Sequence, residues 1–216
     1  GGAGGQGGAG GQGGAGGQGG AGGQGGAGGQ GGAGGGGDVF DVVPDDCGYD
    51  PALRGRTLGT HIDNFSLFFP DRTFFDLHSQ CGGGARAVHL VLANGWCSSC
   101  AQQLQAIFLG DHRALYDEGL RIIWILGADQ NRQPVTNRYL MEYIRRFDIP
   151  FPTLGDSNFQ TVSGTIELGE VRAASPGHIL LDGRTMELLY VGDGRDILLW
   201  CARARLLGTP LPDGCE

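Results

Sequence analysis

The sequence predicts an α/β domain: a central mixed β-sheet flanked by helices, with an N-terminal β-hairpin extension and a disordered Gly-rich tail ahead of it. Three observations carry this expectation. Residues 87–93 (Ala-Val-His-Leu-Val-Leu-Ala) and 121–127 (Arg-Ile-Ile-Trp-Ile-Leu-Gly) are short, continuous apolar runs, as strands buried on both faces are. Each is followed by a stretch whose apolar residues recur at helical spacing. A late pair of apolar runs, 178–181 and 187–191, flanks the turn Asp182-Gly183-Arg184-Thr185 and reads as two further strands.

The elements follow in order. Residues 1–37 repeat Gly-Gly-Ala-Gly-Gly-Gln five times and end on Gly31 to Gly37 with one Ala. No side chain there exceeds Gln, so no apolar burial offsets roughly 1–2 kcal/mol of backbone entropy per residue. Pro is absent and Gly does not fall on every third position, which excludes a collagen helix. This segment is predicted to be a disordered linker with a reach on the order of 30–40 Å. Residues 38–57 form an irregular extension punctuated by Pro44, Gly48 and Pro51. Residues 58–216 form the domain. In it, 62–69 and 73–77 make a hairpin about Pro70-Asp71-Arg72. Ala101, Leu104, Ile107, Phe108 and Leu115 mark a helix that Asp117-Glu118-Gly119 stops. Pro134 starts a second helix carrying Val135, Tyr139, Leu140, Tyr143, Ile144 and Phe147. A loop then runs through Gly164 and Gly169, and a last helix covers 195–207. Trp124, Trp200, Phe65, Phe68, Phe69, Phe74 and Phe75 are expected in the core. Arg145, Arg146, Arg203 and Arg205 are expected on solvated helix faces, and Asp156 in a turn.

The charge argues against some partners. All fifteen basic residues are Arg, and with 23 acidic residues the net charge is −8. An acidic surface disfavours nucleic acid as the main partner. No run of 18 apolar residues is present to span a bilayer. The sequence opens without Met or an export signal, as a processed chain would, and a Gly-rich tether fits a protein anchored upstream of it.

The chemistry lies in six cysteines, Cys47, Cys81, Cys97, Cys100, Cys201 and Cys215. Cys97-Ser98-Ser99-Cys100 stands where a buried strand turns into a helix. At a helix N-terminus, unpaired amides and the positive end of the dipole favour thiolate over thiol. Cys97 would attack a partner's disulfide and Cys100, one turn on, would resolve the mixed species. Trp96 supplies an apolar lip. The other four cysteines fit structural disulfides in an oxidising compartment. Three connectivities are open, and closeness in the chain favours Cys47–Cys81 and Cys201–Cys215.

The run Leu90-Val-Leu-Ala-Asn-Gly-Trp-Cys-Ser-Ser-Cys100 resembles the active-site strand and elbow of thioredoxin-like proteins. The resemblance extends through Glu118 to Ile123, Asp129, and Phe147-Asp148-Ile149-Pro150-Phe151-Pro152-Thr153-Leu154-Gly155-Asp156. These segments are similar to the redoxin branch, which includes peroxiredoxins and TlpA/ResA-type extracytoplasmic thiol–disulfide oxidoreductases. The likeness covers roughly residues 58–207. It implies that Pro176 is a cis-proline beside the dithiol and that Ser175 offers its backbone to an extended substrate segment. It implies no cofactor, protein disulfides or dithiols as partners, an upstream electron donor or acceptor, and a monomer in the bacterial periplasm or a secreted or anchored setting.

Two positions depart from the family. Gln105 stands where many members carry a kinking Pro. Val91 stands where thioredoxins bury an acid that assists proton transfer from the resolving thiol. His89, on the same strand face, is a substitute to weigh against an ordinary packed histidine. A peroxiredoxin would need Thr at Asn94 and Pro at Val91. Copper chaperones of this fold use CxxxC, haem attachment needs His at Ala101, and zinc needs further ligands that His61, His78, His112 and His178 do not group to provide. The competing readings are therefore a redox-inert binding module and, behind it, a thiol peroxidase.

Overall fold

The computed structural model describes residues 43–110, 112–172 and 176–215. Residues 1–37, read as the linker, and Ser175, read as a substrate contact, lie outside the described residues.

Seven strands form one mixed sheet in the order β4-β3-β7-β6-β5-β8-β9. They are β3 (Ser66–Phe68), β4 (Phe74–Asp76), β5 (Ala87–Ala93), β6 (Leu120–Leu126), β7 (Thr153–Gly155), β8 (Gly177–Asp182) and β9 (Leu188–Gly192). A separate parallel pair, β1 (Arg54–Gly55) and β2 (His61–Ile62), precedes them. The centre is β5, parallel to β6 and antiparallel to β8. All seven of its residues are buried, which is why it carries no polar alternation. The expected hairpin is β3–β4, antiparallel and joined to the sheet edge through β7.

Successive residues of a strand point to opposite faces, so the sheet divides its core in two. On one face Val88, Leu90, Leu92, Ile123, Ile125, Ile179 and Leu181 pack under the N-terminal segment and α4 (Gln160–Thr165). On the other, Ala87, Val91, Ala93, Trp124, Leu126 and Leu180 pack under α1 (Ser98–Gln103), α3 (Asn137–Phe147) and α5 (Ile197–Leu207). Helices therefore cover both faces, as the apolar runs predict. This is the thioredoxin-like arrangement.

Several local expectations need correction. The helix expected through Leu115 is not uniform: α1 passes into a π-helical segment, Leu104–Leu109, and α2 (His112–Asp117) follows. The helical hydrogen-bond register thus changes across Gln105 without a proline to force it. Helix α3 begins after Pro134, not at it, because Thr136 is the cap: its hydroxyl accepts from the Tyr139 amide at 3.3 Å. The supposed loop after Pro152 holds β7 and α4. Asp156 is buried and accepts from the Thr161 and Val162 amides at 3.0 and 2.9 Å, fastening the start of α4.

Phe68 and Phe74 are not core. They are 48% and 54% exposed and stack on each other at the sheet edge, ring centroids 4.3 Å apart. Arg203 is not on a solvated face; it is half-buried, and its Nη1 atom is enclosed without a hydrogen-bond partner.

Candidate active site

Strand β5 ends at Ala93, and the chain turns through Asn94 and Gly95 into α1. The Gly95 amide donates to the Ala128 carbonyl at 2.8 Å, tying the elbow to the end of β6. The hydroxyl end of Tyr139 occupies the space a Cβ at Gly95 would take, so a larger residue there would displace that ring. The Cys97 amide donates back to Asn94 O at 3.0 Å and closes the turn.

Cys97 is the N-cap of α1, with extended backbone angles and a sulfur that accepts from the Cys100 amide at 3.0 Å. Its Sγ also lies 3.3 Å from the Ser99 hydroxyl. Cys97 and Cys100 are disulfide-bonded, with Cα atoms 5.3 Å apart. Cys97 is 5% exposed and Cys100 fully buried. Cys97 thus lies nearer the surface than Cys100, the order in which an attacking and a resolving sulfur would stand.

Trp96 is 40% exposed beside the pair, and the Arg132 guanidinium sits 4.7 Å above its ring. A cavity of about 270 Å³ opens next to it, lined by Asn94, Trp96, Ala128, Arg132, Asn158 and Phe159. Arg132, Asn158 and Phe159 all have positive φ (63°, 55° and 55°), so backbone strain gathers at this rim. Pro176 is buried immediately before β8, whose Gly177 faces Leu92 of β5. The register thus brings Pro176 to the end of β5 from which the dithiol elbow springs.

The other cysteines are also bonded: Cys47 to Cys81 and Cys201 to Cys215. The first fastens the N-terminal segment ahead of β5; the second fastens the C-terminal residues to α5. No group of three or more metal-ligating side chains occurs among the described residues.

Sequence reasoning singled out His89 but missed the polar chain that it joins beneath α1. His89 of β5 and His178 of β8 are both fully buried. His89 Nε2 lies 3.0 Å from His178 Nδ1, and His178 Nε2 lies 3.0 Å from Gln103 Oε1, on the last turn of α1. Burial, with the neighbouring His178 and Arg203, holds His89 well below the ordinary imidazole range. Burial pushes His178 down to about 4, with Asp193 opposing and Arg203 assisting. Burial also lowers the Arg203 guanidinium, against Glu118. The available signal was His178 itself, two residues past a proline on a strand able to lie beside His89.

No family model and no curated protein matches the sequence. Solved structures match the fold. A secreted thiol-disulfide isomerase from Corynebacterium glutamicum superposes with a TM-score of 0.55 at 16% identity, covering 74% of this chain and 90% of that one. A candidate protein disulfide isomerase from Bacteroides thetaiotaomicron gives 0.54 at 14% identity, covering 74% and 92%. An uncharacterized conserved protein from Geobacillus kaustophilus gives 0.55 at 16%, covering 75% and 88%. With a dithiol elbow between its central strand and first helix, the chain has the thioredoxin-like fold of these structures.

Proposed function

We propose that this protein is a thiol–disulfide oxidoreductase that exchanges Cys97–Cys100 with cysteines of protein partners outside the cytoplasm. The observation that carries the reading is the position of Cys97: the N-cap of a helix, its sulfur accepting the Cys100 amide at 3.0 Å, at the end of the central strand. In the reduced state that amide and the helix dipole favour a Cys97 thiolate. The thiolate attacks a partner disulfide, and Cys100 then displaces the partner's second sulfur and closes the intramolecular bond.

Trp96 and the adjoining cavity would seat side chains flanking the target cysteine. Ser175 and Pro176 would pair with its extended backbone, and an upstream donor or acceptor would reset the dithiol. Residues 1–37 would serve as a spacer between the domain and any anchor before it, with the domain working as a monomer. An extracytoplasmic setting is supported by two further disulfides of the kind reducing compartments do not keep. The secreted isomerase of the same fold points the same way.

One observation favours a second reading. Cys97 is only 5% exposed, as it would be in a locked bridge of a redox-inert binding module. Insulin-disulfide reduction separates the two. Under the oxidoreductase reading the protein precipitates insulin chains in the presence of dithiothreitol faster than its Cys97→Ser variant. Equal rates would leave the binding module. Peroxide consumption dependent on Cys97 would instead favour a thiol peroxidase.

A further inference from the structure

We propose that the buried pair His178 and His89 holds the proton that Cys100 must lose when it resolves a mixed disulfide. This rests on the oxidoreductase reading and names the acid–base group that its second step requires.

Cys100 is fully buried in an apolar cluster with Val91, Leu104 and Trp124. A thiol attacks only as thiolate, and apolar surroundings disfavour that charge, so a buried thiol needs a nearby proton acceptor. The two buried carboxylates among the described residues have other work. Asp156 fastens α4, and Asp182 holds the Arg184 side chain in the β8–β9 turn at 2.6 Å. The histidines are placed differently. His178 sits directly across from Val91 in the β5–β8 ladder, on the sheet face that α1 covers. Its Nε2 meets Gln103, three residues after Cys100 and so on the same side of the helix. The His178 ring lies where a Cβ on Gly194, at φ +75°, would have to sit, so the glycine leaves room for it there.

His89 stands behind His178, and its Nδ1 is buried without a partner. With Gln103 Oε1 accepting from His178 Nε2–H, His178 Nδ1 accepts from His89 Nε2–H, and the free Nδ1 of His89 is a lone pair. Turning the Gln103 amide reverses the chain and presents a lone pair at His178 Nε2 toward α1. The charged groups facing the pair are Arg203 from α5 and Asp193 from the β9–α5 loop, with Glu118 acting on Arg203. They oppose one another, and burial keeps both rings neutral, so that the pair offers a lone pair and not a charge.

The step balances without an added reagent. The Cys100 S–H bond breaks and its proton passes to the His178 imidazole. The electron pair left on Cys100 forms the bond to Cys97 Sγ as the bond from Cys97 to the partner's sulfur breaks. That sulfur leaves as a thiolate and takes the proton from the imidazolium.

The test is stopped-flow reaction of the reduced protein with 5,5′-dithiobis(2-nitrobenzoate). The first release of thionitrobenzoate reports attack by Cys97, and the second reports resolution by Cys100. For His178→Gln, which keeps polar contacts but takes no proton, the second phase should slow by roughly a hundredfold at neutral pH and become proportional to hydroxide. The first phase should be unchanged, and added imidazole should restore part of the second. Should His178→Gln not fold, Gln103→Ala at the half-buried helix surface replaces it. It should move the pH profile of the second phase by about half a unit or more and spare the first. Second phases that superimpose on the native profile between about pH 5.5 and 8.5 would overturn the proposal while leaving the oxidoreductase reading intact. A native protein that shows no second phase would overturn both.

Discussion

The two faces of the sheet are built to different ends. Under α4 and the N-terminal segment, the core is mostly aliphatic and aromatic: Leu90, Leu92, Ile123, Ile125, Phe65 and Phe75, with Cys81 bonded to Cys47 at its border and His61 and His78 buried at its N-terminal margin. Under α1, α3 and α5 the same strands present Val91 and Trp124. That face also buries the imidazoles of His89 and His178, encloses one guanidinium nitrogen of Arg203 and ends in the Cys97–Cys100 bridge. Buried polar groups cost stability unless their hydrogen bonds are made. His89 Nδ1 and Arg203 Nη1 are left without partners on the second face, and His78 Nδ1 on the first. Both faces bury polar groups at some cost, but only the second brings them beneath the helix that carries the dithiol.

The largest expected effect falls on the second face. Cys97→Ser should abolish disulfide exchange, and Cys100→Ser should stall it as a trapped mixed disulfide with the partner, both visible by mass spectrometry of non-reduced adducts. Neither should unfold the domain, since the bond closes a loop over a sequence separation of only 3. A substitution on the first face does the reverse. Leu90→Ala, at a fully buried central position, should cost about 2–5 kcal/mol in a denaturant titration and leave the rate of exchange per folded molecule unchanged. Loss of exchange without loss of stability in Leu90→Ala would break the comparison.

Acid should find the same asymmetry. His89 and His178 are neutral in the fold because burial depresses both, His178 to about 4. In the unfolded chain they titrate near their ordinary value of about 6.5. The unfolded state thus binds more protons once the pH falls below that value. The stability these groups confer as neutral rings is complete above about pH 6.5 and is lost as pH falls toward 4, by about 1.4 kcal/mol per unit for each ring. Thermal melts across this range should show that slope, and His178→Gln should flatten it by about half. An unchanged slope would remove the imidazoles from the account. The smallest effect belongs to a helix end: Thr136→Ala should cost about 1 kcal/mol and leave exchange untouched.

Legibility in the sequence followed the same division. Strands β5, β6 and β8 could be read because continuous apolar runs have one stable place, the buried middle of a sheet. The dithiol elbow could be read because Cys97-Ser98-Ser99-Cys100 lies where such a run meets helical periodicity. Strand β7 could not. It is three residues long, follows Pro150 and Pro152, and exists only because β6 and β3 offer it partners. Helix α4 was hidden in a small-residue stretch, since its anchor is the side chain of Asp156 and not an apolar pattern. The exposure of Phe68 and Phe74 depended on β3–β4 lying at the sheet edge, which composition does not encode. The meeting of His89 with His178, 89 residues apart, is a product of the β5–β8 register. Local pattern names the strands, but it does not say which side chains face each other across them.

The central claim is that Cys97 and Cys100 form a working redox pair while the other bridges are structural. A titration of the folded protein against glutathione, with thiol labelling and mass spectrometry to follow each cysteine, tests it most directly. The account predicts that Cys97 and Cys100 reduce and reoxidise together while Cys47–Cys81 and Cys201–Cys215 stay oxidised. The potential, nearer about −270 or about −120 mV, would mark the protein as reductant or oxidant. If the Cys97–Cys100 bond is reduced only when the domain unfolds, the pair is a structural bridge and the account is wrong.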